Sequence, residues 1–257
     1  MSSLRARCPD CRTFTAVALG SGYECHRCGR SFGAGLVRVP RAWGDGGEPM
    51  AEAAYLGLPY PDTGAVERDT LDDQSAALAA ALPERPLVLG GCCCAHVGAV
   101  RGLAARGHRL GVIWLDAHGD LNTPETSPSG NLWGMPLRML LDEGAVAPED
   151  VALVGARNLD SGEVEYLKRT GIDDSLERAL ADVDAAYVAL DLDVLDPGEA
   201  AMFMPEPNGH TVADLEILLG ETARATRVAG VGVTGLLPDA RNVAVVTRLL
   251  AAAGLRP

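Results

Sequence analysis

From about residue 67 onward, short apolar runs alternate with segments whose apolar residues recur every three to four positions. The runs Pro86–Gly90, Arg109–Asp116, Val151–Ala156, Ala185–Leu190 and Val228–Leu236 predict strands. Helical periodicity predicts helices over Arg68–Leu82, His96–Arg106, Leu132–Glu143, Ser161–Thr170, Ser175–Asp182, Thr211–Thr226 and Arg241–Ala253. A repeated strand–helix order implies an α/β fold, a three-layer αβα arrangement with a mostly parallel sheet covered on both faces. Ligands of such sheets lie beyond the carboxyl ends of the strands. Residues 36–66 are rich in Gly, Pro and Ala and read as a linker leading into irregular structure. The expected organisation is therefore a small unit at 1–35, a linker at 36–66 and an α/β domain at 67–257.

Two acidic motifs close two of the expected strands. Asp116-Ala117-His118-Gly119-Asp120 follows Leu110–Leu115, and Asp191-Leu192-Asp193 follows Ala186–Leu190. Side chains alternate along an extended segment, so Asp116, His118 and Asp120 share one side, and so do Asp191 and Asp193. Burying four carboxylates and an imidazole without partners is costly. The same donors converging at strand ends suit a pair of divalent cations.

The 257 residues supply one sizeable core plus a small appendage. A formal net charge of −13 argues against nucleic acid or an anionic membrane surface as partner. No apolar run approaches the roughly 20 residues that span a bilayer, and MSSLRARCPDC lacks the apolar stretch of a secretory signal. The seven cysteines fall at 8–28 and 92–94, neither group resembling a disulfide framework, so a reducing cytoplasm is expected. Cys8-x-x-Cys11 and Cys25-x-x-Cys28, 13 residues apart, have the spacing of a structural Zn²⁺ site, with His26 a solvated neighbour. The segment resembles a zinc ribbon, and so small a unit needs its metal to fold. Arg5, Arg7, Arg12, Arg27 and Arg30 give it a local basic surplus. That surplus suits either a partner or docking onto the acidic core.

Over roughly 85–257 the chain also resembles the ureohydrolase (arginase–agmatinase) family. The family's Asp-Ala-His-x-Asp-x-Asn is matched by Asp116-Ala-His118-Gly-Asp120-Leu-Asn122. Its Asp-x-Asp-x-x-Asp-Pro is matched by Asp191-Leu-Asp193-Val-Leu-Asp196-Pro197, and its Ser-Gly-Asn-Leu-His-Gly-x-Pro by Ser129-Gly-Asn-Leu-Trp133-Gly-Met-Pro136. The resemblance implies two Mn²⁺ ions sharing a bridging hydroxide, a small-molecule substrate and a homo-oligomer. It implies that Asp116 and Asp191 bridge both ions and that His118 and Asp193 complete one site. Asp120 would serve the other ion and hold the hydroxide, and Asp196 would be structural.

The departures from the family pattern are as informative. Where the family has Gly-Gly-Asp-His-Ser, with His as sixth ligand, this chain has Gly90-Gly91-Cys92-Cys93-Cys94. In register Cys93 takes that place, and its softer thiolate would shift preference toward Zn²⁺ or Fe²⁺. His96, one turn into the next helix, is an alternative sixth ligand, and the absence of any sixth ligand is a third. Cys92 and Cys94 read as small buried residues of a tight turn. Trp133 replaces the family's proton-shuttling His, and an indole is a donor only. Gly235 stands where the family has a Glu that pairs with the guanidinium, and Met202-Phe203-Met204-Pro205 where it has Thr-Gly-Thr-Pro. The reacting end of the pocket should thus be apolar. At the other end, Asp160 and Glu163 match positions that receive an α-amino group, and Asn122 and Ser129 match positions that bind an α-carboxylate. Asp160 as N-cap and Glu163 at N3 equally describe a helix start. His210, on the loop before Thr211, is a candidate substitute shuttle. The expected activity is metal-dependent hydrolysis of a non-peptide C–N bond in a linear amidine or guanidino compound, an amino-acid derivative. The alternative is a non-catalytic metal-binding or regulatory protein on the same scaffold.

Overall fold

The structure, a computed structural model, describes residues 4–257; Met1–Ser3, which open the segment read for a leader, lie outside the described residues. Its first four strands, β1 (Arg5–Ala6), β2 (Ala16–Leu19), β3 (Gly22–Cys25) and β4 (Ser31–Phe32), form a small antiparallel sheet in that order. The rest of the chain runs β5 (Gly35–Val39), α1 (Glu48–Ala53), β6 (Asp62–Ala65), α2 (Leu71–Ala81), β7 (Pro86–Gly90), α3 (Ala95–Ala104), β8 (Leu110–Leu115) and α4 (Pro136–Asp142). It continues through β9 (Val151–Val154), α5 (Ser161–Thr170), α6 (Leu176–Ala179), β10 (Ala185–Asp191), α7 (Val212–Ala225), β11 (Val228–Thr234) and α8 (Arg241–Ala252). Seven strands pair in parallel in the order β6-β5-β7-β11-β10-β8-β9.

The three-layer α/β expectation is met. One apolar cluster covers one face of the sheet with residues of α1, α6, α7 and α8, and a second covers the other with residues of α2, α3, α4 and α5. Central strands β8 and β10 are buried along their whole length, which explains their unbroken apolar runs. The expected helix at Leu132–Glu143 starts late: Leu132–Gly134 is a single 3₁₀ turn, and Pro136 occupies the first turn of α4, where its missing N–H costs nothing.

The linker expectation for 36–66 is corrected. β5 and β6 complete one edge of the parallel sheet, and α1 packs Ala53 into the core. The apolar run of β5 is interrupted by Arg38, whose buried guanidinium donates to Asp62 Oδ2 (2.7 Å), Ala54 O (2.6 Å) and Leu56 O (3.0 Å). A satisfied charge is thus tolerated inside a strand. β6, Asp-Thr-Gly-Ala, carries no apolar pattern, as suits a short edge strand. Among the described residues, no helix is long and apolar enough to cross a membrane.

Candidate metal centre

β7, β11, β10 and β8 lie side by side, and their carboxyl ends deliver the chemistry-bearing residues to one place. Cys93 follows β7, Asp116 follows β8, Asp191 ends β10 and Thr234 ends β11. Two sets of donor atoms emerge, each within 4.8 Å: Cys93, Asp116 and Asp191, and Asp116, His118 and Asp193. Asp116 belongs to both, as a bridging ligand must. Cys93 Sγ lies 2.9 Å from Asp191 Oδ2 and 3.8 Å from Asp116 Oδ2. His118 Nδ1 lies 3.0 Å from Asp193 Oδ2 and 3.3 Å from Asp116 Oδ1.

Asp120 is buried on the wall of the same pocket but joins neither set. Its backbone has φ +51°, a strained value for a residue with a Cβ. Asp120 O accepting from the Arg138 N–H (3.0 Å), and the Leu121 N–H donating to Glu163 Oε1 (3.0 Å), hold it there. Among the described residues, Asp120 Oδ2 and His118 Nε2 are buried with no hydrogen-bond partner.

The electrostatics are those of a site short of positive charge. Burial pushes Asp191 up to about 7, with Asp193 adding repulsion, and Asp193 up to about 6, with Asp116 adding repulsion. Burial also raises Asp116 and holds Asp120 well above the carboxylate range. Burial opposes charge on His118, yet its bonds to Asp116 and Asp193 overcome this and push it up to about 12. Clustered buried oxygens, a thiol and two orphaned atoms fit divalent cations, which would replace these shared protons.

A pH dependence follows. Asp191 and Asp193 have folded pKa values above their unfolded ones, so their contribution to stability is fully present below about pH 4 and is lost as pH rises to about 7. Metal supplied in that window replaces the departing protons. Thermal melts should therefore show a metal-induced rise in Tm that grows between pH 5 and pH 8; a pH-independent rise would show that these carboxylates are not ligands.

His96 is no ligand. Buried behind the site, it is held neutral, its pKa pushed down to about 3 by burial. Thr234 Oγ1 donates to Asp191 Oδ2 (3.1 Å), so it accepts from His96 Nε2 (3.2 Å), and His96 Nδ1 then accepts from Tyr187 OH (2.9 Å). This chain of bonds fixes the tautomer and steadies the Asp191 carboxylate. Gly232 makes room for it: a Cβ there would strike Tyr187 OH and the His96 ring.

The pocket above the donors holds about 240 Å³. Asn122, Ser129, Trp133, Asp160 and Glu163 all line it. Glu163 also does structural work: its Oε1 accepts from Leu121 and its Oε2 from the Asp160 N–H (2.9 Å) as α5 begins. Asn122 Nδ2 donates to Asp160 Oδ2 (2.8 Å), and Asn122 Oδ1 accepts from Thr126 Oγ1 (2.9 Å). Ser129 is an exposed rim residue. Met50, Trp133, Phe203 and Met204 form an apolar wall, with Trp133 and Phe203 edge-to-face at 5.8 Å. Gly235, at φ +69°, leaves room for Asp191; a Cβ there would run into that carboxylate.

His210 is not brought to the pocket. Its N–H donates to Val194 O (3.0 Å) and its O accepts from Asp196 N (2.8 Å), which tie it to the chain around the Leu192–Val194 turn, and it does not line the pocket. The sequence reading missed Glu206, whose Oε1 lies 3.9 Å from His118 Nε2 and accepts from Asn158 Nδ2 (2.7 Å). It also missed Met50, which lay in the supposed linker. Arg157 draws the Asp193 and Glu206 loops together by donating to Asp193 O (2.7 Å) and Glu206 O (2.9 Å).

A parallel αβα sheet with paired donor sets at its strand ends has known counterparts. The pattern that defines the Arginase family matches residues 50–256, and the chain belongs to that family. The arginase of Staphylococcus aureus strain COL is 41% identical over 142 residues, 44% of this chain and 47% of that protein. The arginase of Bacillus caldovelox is 34% identical over 194 residues, 63% of this chain and 65% of that one. The matched region thus spans about half the length of the staphylococcal relative. The crystal structure of arginase from Bacillus subtilis superimposes with a TM-score of 0.73 at 26% identity, covering 84% of this chain and 98% of that one.

Proposed function

We propose that this chain is a metal-dependent hydrolase that cleaves a C–N bond in a linear amidine or guanidino group borne by a small amino-acid-like molecule. The observation that carries this reading is the pair of donor sets sharing Asp116 on the wall of a pocket with one polar and one apolar side. Cys93, Asp116, His118, Asp191 and Asp193 would hold two divalent cations, with Asp120 beside them. Such cations lower the pKa of water and polarise the amidine carbon. Mn²⁺ is the family expectation, and the Cys93 thiolate favours a softer ion such as Zn²⁺ or Fe²⁺.

In the net reaction the oxygen of water bonds to the amidine carbon, the C–N bond breaks, and a proton reaches the departing nitrogen. Asp120, buried on the pocket wall with its Oδ2 without a hydrogen-bond partner among the described residues, is the group placed to carry that proton. Trp133 cannot, having only a donor N–H. Asp160 supports recognition of an ammonium group, while the apolar wall of Trp133, Phe203 and Met50 favours a head group less polar than free guanidinium. The clustering of unpaired-spacing cysteines supports a reducing cytoplasm, and the family resemblance supports a homo-oligomer.

The test is release of urea, ammonia or amine from a panel of amidine-bearing amino acids by protein loaded in turn with Mn²⁺, Fe²⁺ and Zn²⁺. Turnover of at least one N-substituted amidine above arginine is expected. No turnover with a filled core would leave the non-catalytic scaffold as the better account.

A further inference from the structure

The N-terminal sheet carries a third donor set, which the hydrolase reading does not use. The sulfurs of Cys8, Cys11, Cys25 and Cys28 lie within 4.8 Å of one another, with Cys11–Cys25 at 3.5 Å and Cys8–Cys28 at 3.8 Å. A Zn–S length of ~2.3 Å places tetrahedral sulfurs about 3.8 Å apart. Both knuckles are built alike. The Arg12 N–H donates to Cys8 O (3.0 Å) and the Gly29 N–H to Cys25 O (2.8 Å), with Arg12 and Gly29 at φ +56° and +72°.

The surroundings suit a thiolate cluster. Thr13 Oγ1 lies 3.1 Å from the Cys11 sulfur and Thr15 Oγ1 3.2 Å from that of Cys25. Four thiolates around one Zn²⁺ carry a net double negative charge, and the segment that holds them bears Arg5, Arg7, Arg12, Arg27 and Arg30. The apolar core of this unit is Ala6, Cys8, Ala16, Tyr23, Cys25 and Phe32. Two of those residues are cysteines of the set, and what remains is too small to hold a sheet together unaided.

The unit meets the rest of the molecule through backbone bonds and one aromatic ring. β6 is an edge strand, and beyond it Arg7 and Asp62 exchange backbone bonds: Arg7 N–H to Asp62 O (2.8 Å) and Asp62 N–H to Arg7 O (2.9 Å). Gly33 N–H donates to Arg256 O (2.9 Å), and the Tyr23 ring fills the space that a Cβ at Gly35 would take. Arg7 is next to the first cysteine, and Asp62 is also the carboxylate that neutralises Arg38.

We propose that Cys8, Cys11, Cys25 and Cys28 hold a Zn²⁺ ion that fastens this ribbon over the open β6 edge of the parallel sheet. The ion then does for the edge what a neighbouring strand does elsewhere: it keeps the backbone at Asp62 paired. The inference is independent of the hydrolase reading.

The experiment uses full-length protein. Metal content is measured for the wild type, for Cys8→Ser/Cys28→Ser and for the core variant Asp116→Asn. Amide hydrogen exchange is followed at β5 and β6 and, as reference, at β8 and β10. One zinc per chain should be lost in the cysteine variant and retained in Asp116→Asn, whose X-ray absorption should show four sulfurs at about 2.3 Å. Loss of zinc should speed exchange at Asp62 by at least about 10-fold and leave β8 and β10 unchanged. Should the cysteine variant fail to fold, the same exchange change should follow chelation of the wild type and reverse on adding Zn²⁺. Iron in place of zinc, nitrogen or oxygen among the neighbours, or unchanged exchange at Asp62 after zinc loss would each overturn the proposal.

Discussion

Asp191→Asn is expected to empty the core of metal while leaving the fold intact. Asp191 Oδ2 receives Cys93 Sγ and Thr234 Oγ1, and its Oδ1 accepts from the Asp193 N–H (3.1 Å). The carboxylate is thus the hub of one donor set. An amide keeps the size but loses the charge and turns one acceptor into a donor. Outer partners of metal ligands typically cost ~10–100-fold in affinity when removed; loss of this group should exceed about 100-fold, and hydrolysis should fall to background. Stability should move the other way. The metal-free protein carries Asp191 at a pKa of about 7, so the stability this group contributes is lost as pH rises through that value. The asparagine variant escapes that loss. Above pH 7 its metal-free Tm should equal or exceed that of wild type, while its metal-induced rise in Tm disappears. Unchanged core metal content, read by elemental analysis, would sink the two-ion assignment.

Gly235→Glu should damage the site rather than convert it to one for arginine. The family pattern places a Glu here, so the substitution looks like a restoration. The local backbone says otherwise. At φ +69° a residue with a Cβ is strained by roughly 1–2 kcal/mol. The new side chain would also run into the Asp191 carboxylate, and such overpacking typically costs ~1–3 kcal/mol. Relief comes by displacing Asp191, so Tm and core metal occupancy should fall together. A gain in arginine hydrolysis with full occupancy would show that the β11 end adapts freely and would refute this account.

The centre of the fold was legible in the sequence. β8 and β10 are buried on both faces, so their apolar runs are unbroken, and the motifs that follow them turn polar where the sheet ends. Period-two alternation does not extend past Leu115, where β8 ends; a bend brings Asp116 and His118 into one donor set. Asp120, at positive φ beyond the end of β8, lies on the wall of the same pocket. His96 stayed ambiguous in the sequence because its neighbours, Tyr187, Thr234 and Gly232, are more than 90 positions away. Glycine at 232 is what allows a buried imidazole there, and no local pattern announces it. The 36–66 segment misled for another reason. Its strand β5 contains a charge neutralised only by tertiary contact, and its edge strand has no inward face to mark. Glu163 satisfied both readings at once, lining the pocket while closing the first turn of α5.

The apolar wall has a further consequence. A Cβ at Gly44 or Gly47 would press into the Trp133 indole, so this glycine-rich stretch lies flat against the ring. The Leu132 N–H donates to Trp43 O (3.0 Å), and the Asp45 N–H to Asn131 Oδ1 (3.1 Å), pinning the two loops together. A side chain held in this way has little rotamer freedom left to lose when a ligand arrives. Differences among ligands that touch this wall should therefore register as differences in residence time, with their arrival rates nearly alike.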